Sequence, residues 1–269
     1  MLLSAKGVLR TPDALQGGVC RTLCQASIPR QVTRKADPLA QEPQDRQQPS
    51  ASRPRLNRDT VLRAGVELAD QAGIEGFTMR TLSQELGVVP MALYKHVANK
   101  QELLEGMVDL VWSEVTEPDA VRGWKQGMRN RAVSLRDALT RHRWAVGRLE
   151  AAGRPGPENL RQHNAMLGCL RQSGFSFRTT VHVTSLLDAY VYGFALQQKT
   201  LSFETPEESA AAAAATRNAE SAEDAARYPY LLEVVGELAK EGYDYDAEFA
   251  VGLDVLLDGV EVLRGFWRS

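Results

Sequence analysis

From residue 56 onward the apolar residues recur every third or fourth position, the spacing of helices with one buried face. Val61, Gly65, Val66, Ala69 and Ala72 trace the inward side of a first helix, about residues 58–72. Gly73 stops it, and Gly76 continues the turn toward Thr78, a candidate N-cap. Leu82 and Leu86 then share one face of a second helix, and Gly87 supplies the positive φ that ends it. Pro90 opens a third helix where its missing N–H costs nothing, and it holds Val89 extended. Leu93 and Val97 form the next stripe, with Val88 in the turn to plug the gap and small Ser83 to permit close approach. Asn99 and Glu102 have the spacing of a capping-box variant that starts a fourth helix, running to about Val115.

The later chain keeps the helical period, with breaks at AAGRPGPEN, at QSGFS and over a long stretch after Leu201. Leu160, His163, Met166, Leu167 and Leu170 share one face. Val183, Leu186, Leu187, Tyr190, Val191 and Phe194 mark a long amphipathic helix, and Phe249, Leu253, Leu256, Leu257, Val260 and Leu263 mark another. The alanine run at 210–215 has helix propensity but no evident partner, so it reads as a mobile connection. The expected fold class is all-α.

The short third helix is too small to persist alone, since isolated helices below about 12–15 residues are marginal in water. Its neighbours must hold it, leaving Met91, Ala92, Lys95 and His96 on the outside. That is the layout of a helix-turn-helix, whose second helix enters the DNA major groove.

Charge tempers this reading without removing it. The 269 residues carry a net charge of −2, so general basicity does not advertise a nucleic-acid binder. A local basic surface is what matters electrostatically. Residues 1–55 hold nine Lys and Arg against four Asp and Glu, a balance of +5, leaving 23 against 30 and −7 for the remainder. That leader is rich in Pro, Gln, Arg and Ser without a period, so it is expected to be disordered, an over-extended translation start or a basic arm that brushes phosphates. Arg53, Arg55 and Arg58 lie nearest the reading unit. Neither a signal-peptide core nor an apolar run of about 18–20 residues is visible, so a cytoplasmic protein with no membrane partner is expected. Cys20, Cys24 and Cys169 lack zinc-ligand spacing and read as reduced thiols. No metal site, cofactor fingerprint, catalytic triad or carboxylate pair is apparent, and the motifs give an enzyme reading no support.

Leu56-Asn57-Arg58, Gly73…Gly76, Thr78-x-Arg80-x-Leu82, Leu86-Gly87-Val88, Leu93-Tyr94-x-His96-Val97 and Asn99-Lys100 together resemble the N-terminal domain of the tetracycline repressor (TetR) family. More loosely, Trp124, Arg136-x-Ala138-Leu139, Gly153-Arg154-Pro155, Gly174-Phe175-Ser176 and Phe249-x-x-Gly252-Leu253 resemble its C-terminal domain. Beyond the extension at 1–55, expected to be disordered from its composition, the resemblance implies a helix-turn-helix DNA-binding domain at 56–103 and an effector-binding and dimerisation domain at 104–269. It further implies an Ω-shaped homodimer on a palindromic operator, paired through helices at 177–203 and 246–266 in a four-helix bundle.

For DNA, the resemblance points to Arg80, with a bidentate contact to guanine or, alternatively, a plain surface ion pair. Pro90, Met91 and Ala92 stand where the tetracycline-binding members have Gln-Pro-Thr, so a different operator is expected. Tyr94, His96 and Lys100 look like phosphate contacts, Lys95 suits either purpose, and Tyr94 has inter-helix contact as its alternative.

For the effector, the places that grip the drug and its magnesium in those members hold Thr116, Arg131, Leu135, Met166 and, for the metal histidine, Arg148 or Leu149. Mg²⁺ wants an oxygen-rich octahedral shell, which this set does not offer. A largely apolar effector with an anionic group met by Arg131 or Arg154 is expected instead, with His163, Val181 and Thr184 also in the candidate pocket. Core residence is the alternative for each. His142 is expected to be exposed at a helix end, and His163 and His182 either bind an effector or are satisfied internally. Two functions follow: a ligand-responsive repressor, or a DNA-binding regulator whose large domain meets a protein partner.

Overall fold

A computed structural model of the protein describes residues 56–149, 155–201, 203–219 and 226–266. The expectations for the leader at 1–55, for Cys20 and Cys24 and for Arg154 lie outside the described residues. Among the described residues the structure has ten α-helices, one short 3-10 turn and no strand.

Four helices build the N-terminal part: α1 (Arg58–Ala72), α2 (Met79–Glu85), α3 (Pro90–Leu93) and α4 (Lys100–Ser113). Asn57 caps α1 by accepting from the Thr60 amide at 2.8 Å. Thr78 and Thr81 cap α2 reciprocally, at 3.0 and 2.9 Å. Asn99 caps α4 through the Glu102 amide, and Glu102 reaches back to the Ala98 amide at 2.7 Å, one residue before the expected place. Val61, Leu62, Phe77, Leu82, Leu93, Val97, Leu103 and Met107 form the core between them. Two glycines let α1 and α4 cross closely: a Cβ on Gly106 would stand 2.7 Å from Leu62 Cδ2, and one on Gly65 2.9 Å from Met107 Sδ.

The C-terminal part comprises α5 (Trp124–Arg141), a 3-10 turn (Arg143–Ala145), α6 (Pro157–Gln172), α7 (Phe177–Thr200), α8 (Pro206–Ala219), α9 (Pro229–Glu241) and α10 (Tyr245–Phe266). The α7 and α10 helices both lie on α5 and on each other. Arg129 clamps Asp254 with two hydrogen bonds, 2.8 and 3.2 Å, and Trp124 Nε1 donates to Glu261 at 2.9 Å. Tyr190, Phe194 and Phe249 fill the seam, with the Tyr190 hydroxyl donating to the Phe249 carbonyl at 2.8 Å.

Two expectations change here. The alanine run is not a mobile connection. It lies in α8, which pairs with α9, and Ala213 of α8 and Val235 of α9 are both buried. Small alanine side chains let the two backbones approach, and the apolar period of the 229–241 segment supplies the partner. The second change concerns register on α10. Phe249, Leu253, Leu257 and Val260 are spent on the chain's own core, while Val251, Val255 and Val262 remain 62%, 69% and 63% exposed.

Candidate DNA-reading head and effector cavity

The reading head hangs on three buried anchors. Leu82 of α2, Leu93 of α3 and Val97 beyond it are almost wholly inaccessible, and Phe77 closes the group. Gly87, at φ 64°, turns the chain so that the Val88 amide meets the Ser83 carbonyl at 2.9 Å. Ser83 is buried as its size suggested, and its hydroxyl donates to the Arg80 carbonyl at 2.8 Å. The regular part of α3 is only Pro90–Leu93, and the chain continues as a turn whose His96 and Val97 amides both reach the Leu93 carbonyl.

These anchors leave the reading residues outside. Arg80, Pro90, Met91, Tyr94 and Lys95 are exposed, with Met91 at 71% and Tyr94 at 44%, while Ala92 and His96 are half-buried. Arg80 forms no ion pair with any described residue, so its side chain is not committed to a surface salt bridge. Lys100 is different: its ammonium donates to the Phe77 carbonyl at 2.5 Å and stands 5.8 Å from the Phe77 ring centroid. An ammonium carries three donors, so two remain for a phosphate. Lys100 therefore ties the start of α4 to the α1–α2 turn besides facing solvent.

The large domain holds a cavity of about 380 Å³. Glu105, Val108, Asp109 and Trp112, one face of α4, make one wall. Asn159 and His163 come from α6, Asp188 and Tyr192 from α7, and Leu149 closes a side. His163 tilts against Trp112 with ring centroids 5.4 Å apart and engages the Asn159 carbonyl at 2.9 Å. Asp109 accepts from the Asn159 and Glu158 amides at 3.0 and 3.3 Å, anchoring the start of α6. Arg131, 1% exposed, lies beside this wall, 5.9 Å from the Trp112 ring centroid and 3.6 Å from Asp188 Oδ1. Trp112 Nε1, Arg131 Nε and Nη2, and Asp188 Oδ1 are all buried without a hydrogen-bond partner. Burial pushes the Asp188 carboxyl above its ordinary range, and Arg131 and His163 pull it back only in part.

Of the candidate effector residues, the structure brings Leu149 and His163 to this cavity and sets Arg131 beside it. Leu135 and Met166 are core residues, at 0% and 1% exposure. Thr116 borders a separate open groove with Ser134, whose hydroxyl accepts from the Thr116 amide at 2.8 Å. Val181 is exposed and Thr184 half-buried on α7, and neither lines the cavity. The expectation of a largely apolar, anion-bearing effector does not suit three lining carboxylates. Sequence reading passed over Glu105, Asp109, Trp112, Asp188 and Tyr192. A signal existed: Glu105, Asp109 and Trp112 share a face of α4, and Asp188 is the lone acid of a long apolar helix.

Between head and cavity sits a polar hub. His142 is 6% exposed rather than solvent-facing, because α1, α4 and α5 converge on it. Its Nδ1 lies 2.9 Å from Asp70 of α1, and its Nε2 3.0 Å from Glu114 at the end of α4. Both ring nitrogens thus face a carboxyl oxygen at hydrogen-bonding distance. Trp144 Nε1 also donates to Asp70 at 2.7 Å, and Arg141 to Glu114 at 2.6 Å. Burial raises the Glu114 carboxyl, but the hydrogen bonds from Arg141 and His142 outweigh it and hold the group below its ordinary 4.5. A depressed folded-state pKa gives stability that is present above the unfolded value and lost as pH falls through the folded one. His142→Ala should cost about 1–3 kcal/mol at neutral pH, and the deficit should shrink below pH about 4.5 as Glu114 protonates. Denaturant unfolding of both proteins across pH 4–8 measures it; a pH-independent deficit would mean that His142 acts by shape alone.

Comparison with known proteins agrees with this geometry. Residues 61–107 match the family model for "Bacterial regulatory proteins, tetR family", and residues 117–264 match "Tetracyclin repressor-like, C-terminal domain". The chain is 30% identical over 211 residues to the tetracycline repressor protein class D of Escherichia coli, covering 77% of this chain and 90% of that one. It is 31% identical over 219 residues to the HTH-type transcriptional repressor DrrR1 of Streptomyces coeruleorubidus, covering 78% and 79%. Among solved structures it resembles the Streptomyces coelicolor TetR family protein ActR in complex with actinorhodin. There the TM-score is 0.60 and the identity 26%, over 78% of this chain and 99% of that one.

Proposed function

Since the chain belongs to the TetR family of bacterial regulatory proteins, we propose that it is a transcriptional repressor that binds a palindromic operator as a homodimer and is released by a small-molecule effector. It would act in the cytoplasm, on double-stranded DNA. The observation that carries this reading is the double duty of α4. Leu103, Leu104 and Met107 of that helix belong to the core of the reading head, while Glu105, Asp109 and Trp112 line the cavity. A ligand that repositions the cavity wall therefore moves an element the reading head is built on, and the two heads of a dimer lose their match to successive major grooves. The Asp70–His142–Glu114 hub offers a second rigid link between the same parts. Ligand complexes of ActR and the repressor role of DrrR1 support the proposal by analogy.

The test begins with operator selection from random duplexes, followed by a thermal-shift screen of small molecules. A ligand of the native state raises the melting temperature by mass action and, on this reading, also releases operator DNA. Screening hits that bind without altering DNA affinity would remove the effector part of the proposal.

Position and specificity should separate at the reading head. Arg80→Ala should cost about 1–3 kcal/mol on the selected operator and relax preference at one base pair. Lys100→Ala should weaken selected and scrambled duplexes alike, and flatten the salt slope by about one unit per half-site. Because Lys100 also holds the Phe77 carbonyl, that variant should lose about 1 kcal/mol of stability as well. Binding isotherms in a salt series decide it: equal losses on both duplexes for Arg80→Ala would make Arg80 a phosphate contact.

A further inference from the structure

The cavity has a sign. Among its described lining residues the carboxylates Glu105, Asp109 and Asp188 are present, and no lysine or arginine is. Glu105 and Asp109 form no ion pair with any described residue; Glu105 accepts from the Gln101 amide group at 3.0 Å, and Asp109 holds the amides that open α6. Arg131 answers Asp188 at 3.6 Å, too far for a full hydrogen bond, and leaves Asp188 Oδ1 without one.

A cluster of acids alone would be an ordinary solvated surface. A second observation points to a ligand: Trp112 is 1% exposed, lines the cavity, and keeps its indole N–H unpartnered. A buried donor left open costs free energy unless something accepts from it. Trp112, His163 and Tyr192 also line it, and aromatic side chains favour both stacking and cations. The volume, about 380 Å³, falls in the range of small-molecule sites.

We infer that the effector is a flat aromatic cation: a protonated amine set among Glu105, Asp109 and Asp188, and a carbonyl or phenol oxygen accepting from Trp112 Nε1. This rests on the effector reading above and specifies its chemistry. Carboxylates and aromatic side chains stabilise the ammonium, while an anion would meet three carboxylates on the wall, with Arg131 beside it already turned to Asp188. The raised carboxyl of Asp188 agrees, because a bound cation restores the ionised form that burial disfavours.

The test uses the full-length protein, without DNA, and a matched pair of probes that share a flat ring system and a carbonyl oxygen: 2-(aminomethyl)-9-acridone, a cation at neutral pH, and 9-acridone-2-carboxylate, an anion. Calorimetric titration should give the cation about tenfold tighter binding than the anion. Glu105→Gln, on the partly exposed part of the wall, should lower that ratio about threefold or more without unfolding the protein. Asp188→Asn should bring the ratio toward unity or reverse it, since Arg131 then lacks its counter-charge. Equal or tighter binding of the anion, a ratio unchanged in both variants, or no binding of either probe would each overturn the inference. An anionic or neutral compound that binds and releases operator DNA would overturn only the charge assignment and leave the repressor reading standing. No release by any ligand of any charge would remove that reading itself.

Discussion

Val255→Glu should turn the dimer into a monomer and abolish tight operator binding. Along α10, Val251, Val255 and Val262 form one stripe at helical spacing, with Gly259 open between them. Along α7, Leu186 and Leu196 are 47% and 54% exposed, with open Gly193 between them. Large apolar residues exposed in stripes on two contacting helices mark a face that another surface covers. A second copy of the same face is the occupant expected of a symmetric pair, in which each residue appears twice. One glutamate therefore places two uncompensated carboxylates in one desolvated seam, each costing several kcal/mol. Light scattering at micromolar concentration should show half the wild-type mass. Affinity for a palindrome should fall about 100-fold or more, as one head reads one half-site. Leu253→Glu provides the contrast. Leu253 is fully buried within the chain's own core, so this variant should unfold the protomer. A wild-type protein that already scatters as a monomer would sink the assignment of this face.

Asp188→Leu should be the most damaging conservative-volume change in the C-terminal part, at about 3–5 kcal/mol. It strands the Arg131 guanidinium, 1% exposed, with Nε and Nη2 already lacking partners. An arginine cannot escape by losing its proton. Arg131→Met should cost less, about 1–2 kcal/mol, because the Asp188 side chain keeps 22% exposure and can take up a proton. The double variant should recover most of the loss, since removing both charges removes the desolvation cost with them. The sign with pH follows from the raised Asp188 carboxyl. The folded state binds the proton more tightly, so stability falls as pH rises from the unfolded value of 3.8 through the folded one. Arg131→Met should enlarge that slope, and Asp188→Leu should abolish it. Denaturant unfolding at fixed protomer concentration gives all three numbers. Strict additivity of the two single losses would show that the pair is not coupled.

Legibility in the sequence followed the range of the forces involved. The reading head was readable because its determinants are local. Thr78 and Asn99 cap, Gly87 takes the left-handed turn, Pro90 starts a helix, and Leu82, Leu93 and Val97 fall at helical spacing within twenty residues. The helical class of the rest, and the exposed Arg80, Met91 and Lys95, followed from the same short-range rules. What tertiary structure alone decided were choices between equally apolar faces and between distant partners. The periodicity of α10 marks Phe249, Leu253, Leu257 and Val260 as buried, but only α5 and α7 lying against it show that they face the chain's own core and that the Val251–Val255–Val262 stripe is left over. His142 looked like a solvated helix end until Asp70, 72 residues away, and Glu114 converged on it. Arg131 was expected to meet an anionic ligand, yet Asp188, from another helix, takes that place and gives the cavity the opposite sign. Propensity and periodicity act over one or two turns of chain, whereas burial of charge is settled by which helices meet, and that is written in no single segment.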